Sequence, residues 1–123
     1  MELGIALGEA RYVAKGCALL DFITGREHTL GQDEVMLEKG FAVRPDVQEG
    51  ASPSGVALVS QALLLAATLR GDYDLVERAR GILAPHVSQA MTTPMGAGGV
   101  LQALATLAAE TREIIIVSDQ PTE

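Results

Sequence analysis

The sequence predicts a mainly α fold, antiparallel helical hairpins with a short β excursion and a C-terminal strand. Three observations predict it. Residues 56–69 are apolar on nearly every side, with Ser60, Gln61 and Thr68 as the exceptions, so they form a helix that is buried all round. Residues 75–87 carry Leu75, Val76, Ala79, Ile82, Leu83 and Val87 at helical spacing, with Asp74, Glu77, Arg78 and Arg80 opposite, the pattern of a helix with one wet face. Between them stands only Arg70-Gly71-Asp72, where Gly71 suits a left-handed helix end and Asp72 a helix start. A link this short makes the two helices antiparallel neighbours.

Taken in order, the first helix is expected over residues 8–23, with Tyr12, Val13, Cys17, Leu19, Leu20 and Ile23 on one broad face and Thr24-Gly25 as its stop. From residue 28 to residue 50 the pattern changes to short extended pieces, Val35-Met36-Leu37 and Phe41-Ala42-Val43 about Glu38-Lys39-Gly40, which reads as a small hairpin or irregular excursion. Arg44-Pro45 blocks helix there. The buried helix is expected to begin near Pro53, with Ser52 capping and Pro53 in the first turn, where its missing N–H costs nothing. Pro85 kinks or ends the amphipathic helix near Ala84. After Thr92-Thr93-Pro94, a last helix spans about 96–109, Glu113-Ile114-Ile115-Ile116-Val117 reads as a short buried strand, and residues 118–123 form a polar tail.

A weak internal repeat runs through this order. Gly8-Glu9 lines up with Gly71-Asp72, and at the same offset Val13 falls on Val76, Lys15 on Arg78, Leu19 on Ile82 and Leu20 on Leu83. Successive helical hairpins bury a continuous core by stacking on neighbours; two unrelated amphipathic helices also align this way by chance.

The chain has 123 residues, 48% of them apolar, which suits one domain with its own core. Aromatics are 3%, so that core is built from Ala, Leu, Val and Ile. Nine basic residues against sixteen acidic ones give a net charge of −7, which argues against nucleic acid or an anionic membrane as partner. Cys17 is the single cysteine, so no disulfide closes within the chain. The opening residues lack a basic segment followed by an apolar one, and no apolar run reaches the roughly 20 residues that span a bilayer. A cytoplasmic, soluble protein is the expectation, and no cofactor is called for.

Candidate sites are few. Ser54 and Gly55, with Ser52, stand at a helix start where free N–H groups attract an anion or a sugar hydroxyl, although capping and tight packing explain them better. Asp33, Glu34, Glu38, Asp46 and Glu49 supply carboxylates of the kind that glycosidases pair; an acidic solvated loop is the simpler account. His28 and His86 lack the spacing of a zinc site. Cys17, among apolar neighbours, reads as an inert core thiol. Gly96-Ala97-Gly98-Gly99 has neither the preceding strand nor the following Lys-Ser/Thr of a phosphate loop, so close helix packing accounts for it. Met91 and Met95 read as gap-fillers of the core.

Glu49-Gly50-Ala51-Ser52-Pro53-Ser54-Gly55, the Ala/Leu-rich helix to Leu69, Gly71-Asp72-Tyr73 and the closing Glu113 to Val117 resemble, in this order, the C-terminal part of a family. That family joins a thioredoxin-like domain to an (α/α) toroid and includes the spermatogenesis-associated proteins. Val56 stands where the family has Asn. The toroid is similar to those of N-acylglucosamine 2-epimerases and six-hairpin glycosidases, so the resemblance implies carbohydrate-related chemistry, by analogy of fold alone. Two functions are expected. One is a helical module, non-catalytic alone, whose all-round apolar helix 56–69 is more than four helices enclose, so that it self-associates as a homo-oligomer or docks on the remainder of a larger toroid. The other is a small-carbohydrate enzyme, isomerising or hydrolysing, with Glu49, Ser52, Ser54 and Gly55 at its mouth.

Overall fold

The computed structural model describes residues 1–24, 35, 38–40 and 47–109. These residues are mainly helical, and none of them lies in a strand. In chain order the helices are α1 (Glu2–Leu7), α2 (Ala10–Thr24), α3 (Gly55–Arg70), α4 (Tyr73–Leu83), α5 (Val87–Thr92) and α6 (Gly98–Ala108). One-turn 3₁₀ segments, Ala84–His86 and Pro94–Gly96, precede α5 and α6.

Helix α3 is the axis of the assembly, packing against α2, α4 and α6, while α1 lies on α2 and α4 touches α6. Its all-round apolarity has the predicted consequence on three sides. Val56, Ala57, Leu63 and Ala66 are almost fully buried, as are Leu83 from α4 and Val100 and Ala103 from α6. Each buried leucine of this kind stabilises the fold by about 1.5–3 kcal/mol. Ser60 is fully buried at the centre of this face, and its Oγ makes no hydrogen bond among the described residues.

The predicted α3–α4 hairpin is present. Gly71 takes φ 64°, ψ 30°, a left-handed conformation that costs glycine nothing and any other residue roughly 1–2 kcal/mol. Asp72 N–H then donates to Ala67 C=O at 3.1 Å, and the Asp72 carboxylate accepts from Asp74 N–H at 3.1 Å. Hairpin α1–α2 turns in the same way. Gly8 takes φ 64°, ψ 23°, and Glu9 N–H donates to Gly4 C=O at 2.8 Å. Both turns join a left-handed glycine to a hydrogen bond reaching back five residues, the Schellman ending. The aligned pair Gly8-Glu9 and Gly71-Asp72 is therefore one turn built twice.

Several boundaries differ from expectation. The first helix does not start at Gly8; that glycine ends α1, whose six residues are too short to show a period, and α2 begins at Ala10. Ser52 and Pro53 do not start α3. Its cap is Ser54, in extended conformation, whose Oγ accepts from Ala57 N–H at 3.2 Å. The last helix starts at Gly98 rather than residue 96 because Pro94–Gly96 forms a 3₁₀ turn first.

In the stretch read as a β excursion, Val35 and Glu38 are helical, and Lys39 N–H donates to Val35 C=O at 3.2 Å. Gly40 follows at φ 77°, and Met36 and Leu37 lie outside the described residues. Phe41-Ala42-Val43, the Glu113 to Val117 strand and the polar tail lie outside the described residues. Pro85 sits in the 3₁₀ turn between α4 and α5, so it both ends one helix and redirects the next.

Candidate functional site

Glu49 holds two helix starts together. Its Oε1 accepts from Ser54 N–H at 3.4 Å, and its Oε2 accepts from Gly99 N–H at 2.8 Å. Its own N–H donates to Gly96 C=O at 2.7 Å, and Val47 beside it is buried. The start of α3 shows why a carboxylate is needed there. In a capping box the residue three after the cap reaches back to the cap's N–H; here that residue is Ala57, which cannot. Glu49 supplies the acceptor from upstream and serves α6 with its other oxygen.

Gly99 completes the arrangement. A Cβ on it would lie 2.5 Å from Glu49 Oε1 and 2.9 Å from Ala57 Cβ, so only glycine permits this approach. Gln61 Nε2 donates to Gly99 C=O at 3.0 Å. Within the glycine run 96–99, close packing accounts for Gly99, whereas a Cβ on Gly96 or Gly98 would meet its nearest neighbour at an ordinary 3.7 or 3.6 Å.

The four residues expected at a mouth are placed as follows. Glu49 is half-buried, Ser54 is buried, and Ser52 and Gly55 are exposed. Glu49 and Ser54 come together, but as donor and acceptor of one internal cap. An anion belongs at a pair of helix N-termini, and here the chain provides its own. Of the other carboxylates, Glu38 is exposed, and Asp33, Glu34 and Asp46 lie outside the described residues, as does His28. His86 is half-buried in the 3₁₀ turn after α4. Among the described residues no three His, Cys, Asp or Glu side chains gather to hold a metal ion, and no helix is long and apolar enough to cross a membrane.

Cys17 is buried, its Sγ 3.6 Å from Met1 Sδ. The methionines correct the sequence reading: Met91 is 67% exposed and Met95 fully exposed, because the short α5 and the turn after it carry them on their outer side.

A second feature, whose place the sequence did not give, is an open groove of about 570 Å³ on the fourth side of α3. Leu58, Ala62 and Leu65 line it from α3, Leu3 from α1, and Gln102 and Thr106 from α6. Leu58 is 52% exposed and Leu3 57% exposed. The sequence signal for it was Gln61 and Thr68, the polar interruptions of α3. Both border the groove, Gln61 turned to Gly99 and Thr68 Oγ1 donating to Leu64 C=O at 3.1 Å. An apolar floor with an amide and hydroxyl wall has the composition of a binding surface. Among the described residues Glu2 is the only carboxylate that lines it, so they place no acid/base pair there.

The chain matches no family model, and neither the curated proteins nor the solved structures contain one that resembles it significantly.

Proposed function

We propose that the protein is a helical interaction module, non-catalytic by itself, which works by taking an apolar segment into the groove over α3. The observation that carries this is Leu58, 52% exposed on a helix whose other sides are packed. Leaving an apolar residue of a core helix in water loses burial energy, and a groove of this kind gains it back on docking. The paired hairpins with their common turn support an arc of an (α/α) toroid as the architecture, with the occupant either another copy or the remainder of a larger toroid.

The carbohydrate-enzyme alternative draws less support, because the carboxylate it relies on, Glu49, is engaged by two backbone N–H groups. The two readings separate experimentally. Light scattering on a sizing column should show a mass that grows with protein concentration and falls back when Leu58 or Leu65 is changed to Ala. A wild type that associates and keeps its mass in both variants overturns the interaction reading. A sugar that raises the melting temperature at millimolar concentration would favour the enzyme.

A further inference from the structure

The chain carries a ridge as well as a groove. On α2, Leu19, Phe22 and Ile23 are 60%, 58% and 39% exposed and share one side at i, i+3 and i+4 spacing. Leu19 and Ile23 point away from α3, since Ala14, Ala18 and Asp21, on the opposite part of the wheel, border a cleft with Leu69 and Arg70, and Phe22 lies between the two sides.

The cause is an imbalance between helices. α1 has six residues against the fifteen of α2, and its first end reaches only the level of Cys17, whose Sγ meets Met1 Sδ. The last two turns of α2 therefore extend beyond α1. In the matching hairpin the sixteen residues of α3 outrun the eleven of α4. Stacked hairpins end in a polar outer face when nothing follows them, and the end at α2 is apolar instead.

We infer that the α2 ridge of one copy seats in the α3 groove of a second copy, Leu19 and Ile23 meeting Leu3, Leu58 and Leu65. This deepens the docking proposed above and rests on it, naming a second copy as the occupant. Ridge and groove are different surfaces, so the contact is heterologous and runs head to tail.

The area decides its strength. Residues of this size left half-exposed offer about 100 Å² each. Leu19, Phe22, Leu3 and Leu58 are of this kind, Ile23 offers less and Leu65 is mostly covered. The two faces therefore bury roughly 500 Å² of apolar surface, about 900 Å² with a polar rim, just under what a specific, stable contact needs. Each copy also carries −7, which opposes approach at low salt. The association is weak, concentration-dependent and strengthened by added salt.

Leu58→Glu spoils the groove and Leu19→Glu spoils the ridge, both at exposed positions that leave the core alone. The test compares the wild type, each variant and their equimolar mixture by sedimentation, with circular dichroism to verify folding and Leu19→Gln as a milder second ridge variant. The wild type should associate, each variant should be at least tenfold weaker, and the mixture should form a one-to-one heterodimer. In that mixture Leu58→Glu keeps its ridge and Leu19→Glu its groove. A wild type that associates while the mixture stays monomeric overturns the ridge-in-groove pairing and leaves groove docking standing. Association unchanged in Leu58→Glu overturns the groove itself, and a wild type that is monomeric at every concentration and salt removes the second copy as occupant.

Discussion

Hairpin α1–α2 and hairpin α3–α4 turn on the same device and differ in what surrounds them. Gly8 and Gly71 share one backbone conformation, and Leu20 and Leu83 take the same place in their helices. Yet α4 is backed by α3 along its length and also touches α6, whereas α2 has a six-residue partner and a lighter contact with α3. Burial follows from that. Leu83 is 1% exposed and Leu20 4%, but the neighbours of Leu20 on α2, Leu19 and Ile23, remain in water. A local turn is specified by two residues; the worth of the hairpin it makes depends on what is stacked beside it.

The comparison is broken most forcefully by truncating the matched leucines. Leu83→Ala should cost about 4 kcal/mol and Leu20→Ala about 2 kcal/mol, read from urea unfolding, because the cavity at Leu83 is walled by helices on several sides and cannot collapse. Equal costs would mean that hairpin α1–α2 is as tightly held as its counterpart.

Next in size is Glu49, which ties the start of α6 to the start of α3. Glu49→Ala leaves Ser54 N–H and Gly99 N–H without their acceptor, at a cost of about 2–3 kcal/mol. Glu49→Gln, which keeps one carbonyl oxygen, should lose roughly half as much. Amide exchange at Ser54 and Gly99 should quicken in both. A fully stable Glu49→Ala protein would remove the staple from this account.

How much of this was legible in the sequence depends on distance along the chain. Gly71 and Asp72 announced their turn because each acts on residues within five positions, and the apolar periods of α3 and α4 needed nothing else. The start of α3 was misplaced by two residues because Ser52-Pro53 has every local mark of a cap. Ser54 wins through Glu49, which receives its N–H, and through Ala57, which cannot. Glu49 itself stood among the candidates as a mouth carboxylate, but its stronger partner is Gly99, far along the chain, and no local pattern joins them. The groove was hidden for a similar reason, since a helix apolar all round says only that it should be covered, not which neighbours are too short to cover it. α1 left no periodic trace in six residues.

The repeated turn gives the third prediction. Gly71→Ala and Gly8→Ala force a side chain into the left-handed region, and each should cost about 1–2 kcal/mol. Nothing lies within 4 Å of a Cβ built at either position, so backbone strain is the whole effect and the two values should agree. A Gly8→Ala cost near zero would show that α1 frays before the strain is felt, and the difference between the two would measure how loosely hairpin α1–α2 is held.

The smallest effect concerns the bond between the hairpins. Arg70 donates to Asp21 through both nitrogens, Nη2 to Oδ2 at 3.0 Å and Nη1 to Oδ1 at 3.4 Å, while Arg78 Nη2 donates to Thr24 C=O at 3.0 Å at the end of α2. The Arg70 hydrogen bond, aided by the charges of Arg70 and Arg78 against a partial loss of hydration, holds the Asp21 carboxyl below its ordinary pKa. A carboxylate whose pKa falls on folding adds stability above its unfolded pKa and gives it up as pH drops through the folded one. The window opens at roughly pH 4 and extends downward. Both groups are well exposed, so solvent and salt screen the pair and the gain is slight. Arg70→Gln should raise the Asp21 pKa in an NMR titration and flatten the fall of melting temperature below about pH 4. An Asp21 titration unmoved by Arg70→Gln would mean that the pair is not held in solution, and that, among the described residues, hairpin α1–α2 rests on hairpin α3–α4 through apolar contact and the Arg78 bond.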